Sequence, residues 1–416
     1  MTDFKFGGPV EPELFYDRER EVEFLIDKLS QIKKGIKHNY ALVGPRRIGK
    51  SSILYVLKEQ MSKKNIIPVL IDCEGREITR QTELTLELFL EFWGSAVLDA
   101  YFEHAKLQEK VKVRLSDFIV GAKDRIIAGF AEVLGRTKAF EIKAITDYLS
   151  FRIEFEKAAE RRKPATEELV KLFEDTVDLA ERIAGERGVC FVFMLDEFQE
   201  VGNFKRPFDF LKAFRRHLQR QKKVAYLFTG SNIGMMENIL LRKPFGGHIP
   251  IEWIHPFNSE SACNFLKDRF SRLRRTASKE AIEEIVNFTN GHPAYLNWFG
   301  ENCVRLGKEI TPAIVKILEE RIFEREGLMH VFEEDLSKIS PKKGKIFQVF
   351  VEMAGHDLES PSKISKKVLR STTSEVIIYL KRLEQRGFVR KLEEGGYEIV
   401  DDMLKNYVKR KIHLTH

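Results

Sequence analysis

Short apolar runs recur along this chain between stretches of helical period. The runs cover 39–43, 66–72, 189–195, 224–229 and 249–253. Each is too short for a helix and lacks alternation, so it reads as a strand buried on both faces. Strands of that kind belong to a parallel sheet covered by helices. More than 100 residues separate the second run from the third. Most of 80–185 has helical period, with Phe89, Leu90, Trp93, Val97 and Leu98 forming an apolar stripe. The stripe reads as core packing. A helical insertion over about 80–165 is expected on the sheet, ending in a helix over 166–184. After Pro256 the pattern becomes all-helical, with helices predicted at 258–274, 278–289, 293–307 and 311–329. From 336 it changes again. A helix near 342–354 and a short helix after Pro361 precede a third, which runs through Glu375–Leu383 from a Thr372/Glu375 capping box. Phe388–Leu392 and Tyr397–Val400, joined through Gly395-Gly396, predict a β-hairpin. Helix, helix, helix, hairpin is the order of a winged helix. The expected fold is α/β, a parallel-sheet core over 1–256 followed by a helical domain over 257–332 and a winged helix over 336–416.

The first strand runs into Gly44-Pro45-Arg46-Arg47-Ile48-Gly49-Lys50-Ser51, a full match to G-x-x-x-x-G-K-[ST]. Ser52 and the residues after it have helical period. Strand, glycine loop and helix aim backbone N–H groups and a helix N-terminus at an anion. Lys50 would reach the terminal phosphates and Ser51 would hold Mg²⁺.

The third strand ends Leu195-Asp196-Glu197. Two acids at the C-terminal edge of a strand suit a nucleotide hydrolase, with Asp196 on Mg²⁺ and Glu197 as the general base that polarises water. The fourth strand ends Thr229-Gly230-Ser231-Asn232. Its tip would contact the γ-phosphate or the attacking water, through Ser231 first, then Asn232 or Thr229.

Composition narrows the partners. The chain has 416 residues and a formal net charge of +7. Leu336–His416 contains 17 Lys and Arg against 10 Asp and Glu, and the rest contains 53 of each. The excess positive charge therefore lies in the C-terminal segment, which points to an anionic partner, DNA first. No apolar run approaches the length of a membrane span, and a leader-type apolar region is missing from the first residues. Four scattered cysteines without a C-x-x-C read as thiols in a reducing compartment, so a cytoplasmic protein is expected.

Pro45-Arg46-Arg47 within the loop, Asp196-Glu197-Phe198-Gln199 and Thr229-Gly230-Ser231 together resemble the archaeal ATPase family. This family is a STAND branch of the P-loop NTPases, related to AAA+ proteins and origin-recognition initiators. The resemblance implies ATP as cofactor with Mg²⁺, and the absence of an N-K-x-D guanine motif agrees. Phe15–Glu21 resembles the family's N-terminal box, which would place Asp17 and Arg18 by the adenine. Asn290–Leu296 resembles the G-x-P motif of a helical lid, which would bring His292 and Pro293 to the nucleotide. Two features depart from the family pattern. Gly246-Gly247-His248 stands where a Gly-Arg arginine finger is common, so either Arg242 upstream substitutes or activation in trans is absent. His292 stands where relatives use an arginine sensor. Slow hydrolysis is expected, since an arginine finger is worth about 10³–10⁵ in rate.

Two outputs fit these features. In one, the winged helix binds DNA, with Val376, Leu380 and Leu383 inward and Lys381, Arg382, Arg386, Arg390 and Lys391 on phosphates, while Glu393 and Glu394 oppose tight wrapping. In the other, the chain is a nucleotide-gated switch or scaffold. Its winged helix then docks on its own core, on a protein partner or on another copy.

Overall fold

A computed structural model describes residues 3–74, 85–105, 163–203, 208–242, 244–340, 344–357, 359–368, 370–392 and 395–415, with a few positions between 143 and 151. Most of the expected 80–165 insertion, and Glu393 and Glu394, lie outside the described residues.

All five expected strands form, as β1 (Tyr40–Val43), β2 (Ile67–Asp72), β3 (Phe191–Asp196), β4 (Val224–Gly230) and β5 (Ile251–Trp253). They make one parallel sheet in the order β2-β3-β4-β1-β5. The register aligns their C-terminal ends, with Val43 opposite both Gly230 and Trp253, and Asp72 opposite Asp196. Motifs that lie between Gly44 and Asn232 in the sequence thus share one edge, where open α/β sheets bind ligands.

Two layers of helices cover the sheet. On one face, α1 (Glu19–Ser30) and α2 (Lys50–Lys63) bury Leu25, Leu29, Ile53, Leu54 and Leu57 against Leu42, Val192, Met194 and Leu227. On the other lie α3 (Leu86–His104), α4 (Thr166–Val177), α5 (Leu179–Arg187) and α6 (Phe210–Arg220). The α3 stripe is core, as expected: Trp93 is fully buried and stacks on Phe193, with ring centroids 4.8 Å apart. The predicted 166–184 helix is two helices. The break falls at Asp178, whose carboxylate lies 2.8 Å from His217 Nδ1 and accepts from Gln221 Nε2 at 3.1 Å.

After α7 (Ile233–Leu240) and β5 the chain is mostly helical: α8 (Ser259–Arg272), α9 (Lys279–Thr289), α10 (Pro293–Leu306) and α11 (Pro312–Arg321). A two-residue parallel pair, β6 (Thr276–Ala277) and β7 (Glu309–Ile310), ties α8 to the loop before α11. The predicted 311–329 helix stops at Arg321. Gly327 packs so tightly there that a Cβ would sit 2.1 Å from Arg321 O. A new helix, α12 (Met329–Ile339), starts beyond it. Then come α13 (Lys345–His356), α14 (Pro361–Lys367), α15 (Thr373–Gln385), the hairpin β8 (Val389–Lys391) and β9 (Tyr397–Ile399), and α16 (Asp402–Thr415).

The capping box at α15 is present, and Val376, Leu380 and Leu383 are buried. The final helix, α16, lies beyond the predicted elements, although its buried Met403, Leu404, Tyr407 and Val408 have helical spacing. One continuous apolar core runs from Phe257 to Val408. α12 therefore contributes Phe332, Leu336 and Ile339 to the same core as the C-terminal helices.

Candidate nucleotide site

The loop between β1 and α2 takes a shape its glycines permit. Gly49 has φ +103°, a conformation that side chains other than glycine disfavour. Gly44 packs against β5, where a Cβ would meet Ile254 O at 2.4 Å. Arg47 is left-handed at φ +59°. Lys50 opens α2 and is buried. Its ammonium donates to Gly44 O at 2.9 Å and Pro45 O at 2.8 Å. Burial holds its pKa below the ordinary value, against the pull of Glu197 and Asp196. The ammonium thus faces both carboxylates from within the loop.

The sheet register joins the other motifs. Ser51 Oγ donates to Asp196 Oδ2 at 2.7 Å. Thr229 Oγ1 donates to Asp196 Oδ1, which also accepts the Glu197 N–H at 3.1 Å. Glu197 leaves β3 at φ +50°. Its Oε2 accepts from Ser231 Oγ at 2.6 Å, Ser231 N at 3.1 Å and Gln199 Nε2 at 2.5 Å. Burial pushes this carboxyl up, but Lys50 and the donors from Ser231 and Gln199 hold it below the ordinary value. The strand tip thus divides its work: Ser231 engages Glu197, Thr229 engages Asp196, and Asn232 caps α7 through Met235 N.

The donor chemistry fits Mg²⁺. A hydroxyl and a carboxylate side by side are hard oxygen donors. Among the described residues no cluster of three or more His, Cys, Asp or Glu could cage an ion. Mg²⁺ typically uses one or two protein oxygens and takes the rest from phosphates and water.

The remaining expected site residues surround the loop. Arg18 Nη2 donates to His255 O at 2.5 Å, and its guanidinium lies 5.0 Å from the Phe257 ring centre. The N-terminal box therefore packs on the exit of β5, with Asp17 beside it at φ +53°. Ser52 Oγ accepts the Val10 N–H at 3.1 Å, which brings the N-terminal segment to the start of α2. His292 caps α10, where Pro293 is the first residue, and its Nε2 lies 3.1 Å from Arg46 O. Gly291 must be glycine because a Cβ would meet Phe257 O at 2.1 Å. Arg242 is exposed in the turn after α7, and its carbonyl accepts from Gly246 N.

Several residues at the site carried no assigned role in the sequence. Gln199 stood within a quoted motif. Tyr295 lies within the Asn290–Leu296 motif, whereas Asp335 and Asp401 gave no local signal. Asp335 lies on α12, is buried, and accepts from Arg47 Nη1 at 2.7 Å. Tyr295 OH donates to Asp401 Oδ2 at 2.8 Å.

The C-terminal helices sit on the core beside this site. Gly234 of α7 packs so tightly on α15 that a Cβ would lie 2.4 Å from Glu384 O. A Cβ on Gly387 would meet Asn232 Cα at 3.0 Å. Arg386 Nη1 donates to Ile339 O, and Arg390 pairs with Glu398. Two clefts flank the loop. One, of about 590 Å³, includes Gly44, Pro45, Trp253, Arg390 and Lys391. The other, of about 970 Å³, includes Arg46, Asn232, Lys338, Arg382 and Arg386.

Comparison with known proteins adds to this geometry. A Walker-type ATPase of Pyrococcus abyssi is 20% identical, with 98% of this chain and all of that one aligned at a TM-score of 0.66. The ADP form of the Aeropyrum pernix ORC2 protein is 12% identical, with 97% and 96% covered at a TM-score of 0.51. Both are likenesses of fold. No curated protein matches the sequence. No helix among the described residues is long and apolar enough to cross a membrane. A family model described as an ATPase domain predominantly from Archaea matches residues 15–299, and the chain belongs to that family.

Proposed function

We propose that the chain binds MgATP at the 44–52 loop and hydrolyses it slowly, and that nucleotide state sets whether its C-terminal region stays docked on the ATPase core. The observation that carries the ATPase reading is the meeting of Ser51 with Asp196 and of Glu197 with Ser231, four residues from three motifs, beside a buried Lys50. Family membership and the ADP held by the A. pernix structural neighbour agree with it.

The roles follow from position. Backbone N–H groups from Arg46 to Ser52, in a loop shaped by Gly44 and Pro45, and the Lys50 ammonium would hold the phosphates. Ser51 and Asp196 would hold Mg²⁺, which spreads the charge of the phosphate oxygens. Glu197, kept ionised, would accept a proton from water positioned with Ser231. Asp17, Arg18, His292 and Pro293 would line the nucleotide from the N-terminal box and the lid. Arg242 makes none of the hydrogen bonds that join these residues, so a finger role requires a second copy. This reading takes 1–256 as the ATPase core, with its insertion over about 80–165. It takes 257–332 as the lid and 336–416 as a winged helix.

Docking of α15 on α7 favours the switch as the resting arrangement, since the close Gly234–Glu384 contact occupies the end of the helix that would read DNA. The basic excess of 336–416 supports DNA as the partner once that end is released, with a protein partner or self-association as the alternative. A cytoplasmic location fits this reading. The test is ATP turnover by the wild type and Lys50→Ala, with and without duplex DNA across a salt series. Lys50→Ala is expected to lose nucleotide binding almost completely. DNA affinity is expected to fall linearly in log salt. Unchanged nucleotide binding in Lys50→Ala would overturn the site, and no DNA binding at low salt would overturn that partner.

A further inference from the structure

Two arginines inside the phosphate loop are already engaged by an acid from outside the segment that defines the family. Asp335 accepts from Arg47 Nη1 at 2.7 Å, and Arg46 Nη1 lies 3.6 Å from its other oxygen. Asp335 is 3% exposed, and Oδ1 has no hydrogen-bond partner among the described residues. Lys338, one turn along α12, lies 3.9 Å away. A buried carboxylate is tolerated only when paired, so the arginines and Asp335 hold each other in place.

α12 is joined firmly to the C-terminal helices. Phe332, Leu336 and Ile339 share the core of α13–α16, and Ile339 O accepts from Arg386 at the end of α15. A second tie reaches the same region. His292 lies 3.1 Å from Arg46 O, its ring packs on Tyr295, and Tyr295 donates to Asp401. Asp401 in turn accepts from Met403 N and Leu404 N at the start of α16.

We propose that Asp335 acts as a stand-in for phosphate, holding Arg46 and Arg47 until the phosphates of a nucleotide displace it, so that nucleotide binding and release of α12 oppose each other. The proposal rests on the nucleotide reading above. Carboxylate and phosphate compete for the same guanidinium fork, and both are anions. A triphosphate on the loop would stand near a carboxylate that cannot move without α12. By linkage, nucleotide would weaken the engagement of Asp335 by the same factor by which that engagement weakens nucleotide binding.

The test compares full-length wild type, Asp335→Asn and Asp335→Glu by calorimetric titration with MgATP and by X-ray scattering without nucleotide. Circular dichroism confirms folding. Asp335→Asn should bind about 5-fold tighter or better, within the usual range of coupling between sites. Without nucleotide it should show a larger radius of gyration than wild type. Asp335→Glu should behave as wild type. Asp335→Asn that binds within twofold of wild type, or more weakly, would make the acid a permanent brace and overturn the proposal while leaving the nucleotide reading intact. If wild type binds no nucleotide, both fall. Should Asp335→Asn not fold, hydrogen exchange in wild type still decides: amides of 329–339 should exchange faster with MgATP, and unchanged or slower exchange overturns the proposal.

Discussion

Ser231 donates its hydroxyl to Glu197 at 2.6 Å, joining the tip of β4 to the acid that follows β3. The bond exists because β3 and β4 are neighbours in register, with Leu195 opposite Phe228. It holds the proposed general base with its charge intact. Glu197→Gln is therefore expected to bind MgATP as wild type does and to lose about 10²–10⁴ in turnover, the usual contribution of a general base. Turnover at the wild-type rate in single-turnover assays would remove Glu197 from that role.

The pH dependence follows from the same contacts. The Glu197 carboxyl lies below its ordinary 4.5, with the pull of Lys50, Ser231 and Gln199 exceeding the opposing effect of burial. The base form then persists through neutral pH, and kcat/KM should fall on its acidic limb only below about 4.5. Ser231→Ala removes a donor to the carboxylate, so its limb should move to higher pH. A limb that does not move in this variant contradicts the assignment.

His292 gives a stability test with the opposite kind of group. Burial lowers its pKa below the ordinary 6.5, with Asp401 opposing. Below 6.5 the unfolded chain takes up a proton that the folded chain refuses. Its contribution is therefore complete above 6.5 and is lost as pH falls toward the folded value. The melting temperature should decline from pH 7 to pH 5, and less steeply in His292→Gln. Equal slopes in the two proteins would exclude His292 as a source of the decline.

Gly234 probes the docking of α15. Alanine there brings a methyl to 2.4 Å from Glu384 O, a backbone atom that cannot step aside alone. Overpacking of this kind costs about 1–3 kcal/mol. Gly234→Ala should loosen α15 from α7 and speed proteolysis between α12 and α13. If undocking exposes the helix to DNA, the variant should also bind duplex DNA more tightly than wild type at equal salt. Weaker DNA binding with faster cleavage would assign the released surface to another partner.

The pair Ser51–Asp196 offers the metal test. Asp196→Asn keeps the shape and removes the charge beside a hydroxyl at 2.7 Å. ATP turnover in this variant should need a higher Mg²⁺ concentration for half-maximal rate, read from a Mg²⁺ titration. An unchanged requirement would place the ion elsewhere.

Much of this protein could be read locally. The five strands are short apolar runs whose neighbours are helical, and burial on both faces leaves that mark in the sequence. The loop from Gly44 to Ser51, the acids Asp196 and Glu197, and the candidates at 229–232 are each contiguous in the sequence, so each can be read as a local motif. Helix ends were harder. The breaks at Asp178 and near Gly327 depend on His217 and on a close backbone approach, partners that no local pattern shows.

The sequence by itself determined a parallel sheet, the resemblance to the archaeal ATPase family, the glycine loop with its acids, and a basic C-terminal segment. Only the tertiary structure decided which of three polar residues at the end of β4 meets Glu197, that Gln199 joins it, and that α15 lies against α7. It also decided that Asp335, 288 positions from Arg47, pairs with the arginines of the loop. The reason is physical. A motif is fixed by the conformation of its own backbone, whereas an ion pair between distant residues is fixed by the packing of every element between them.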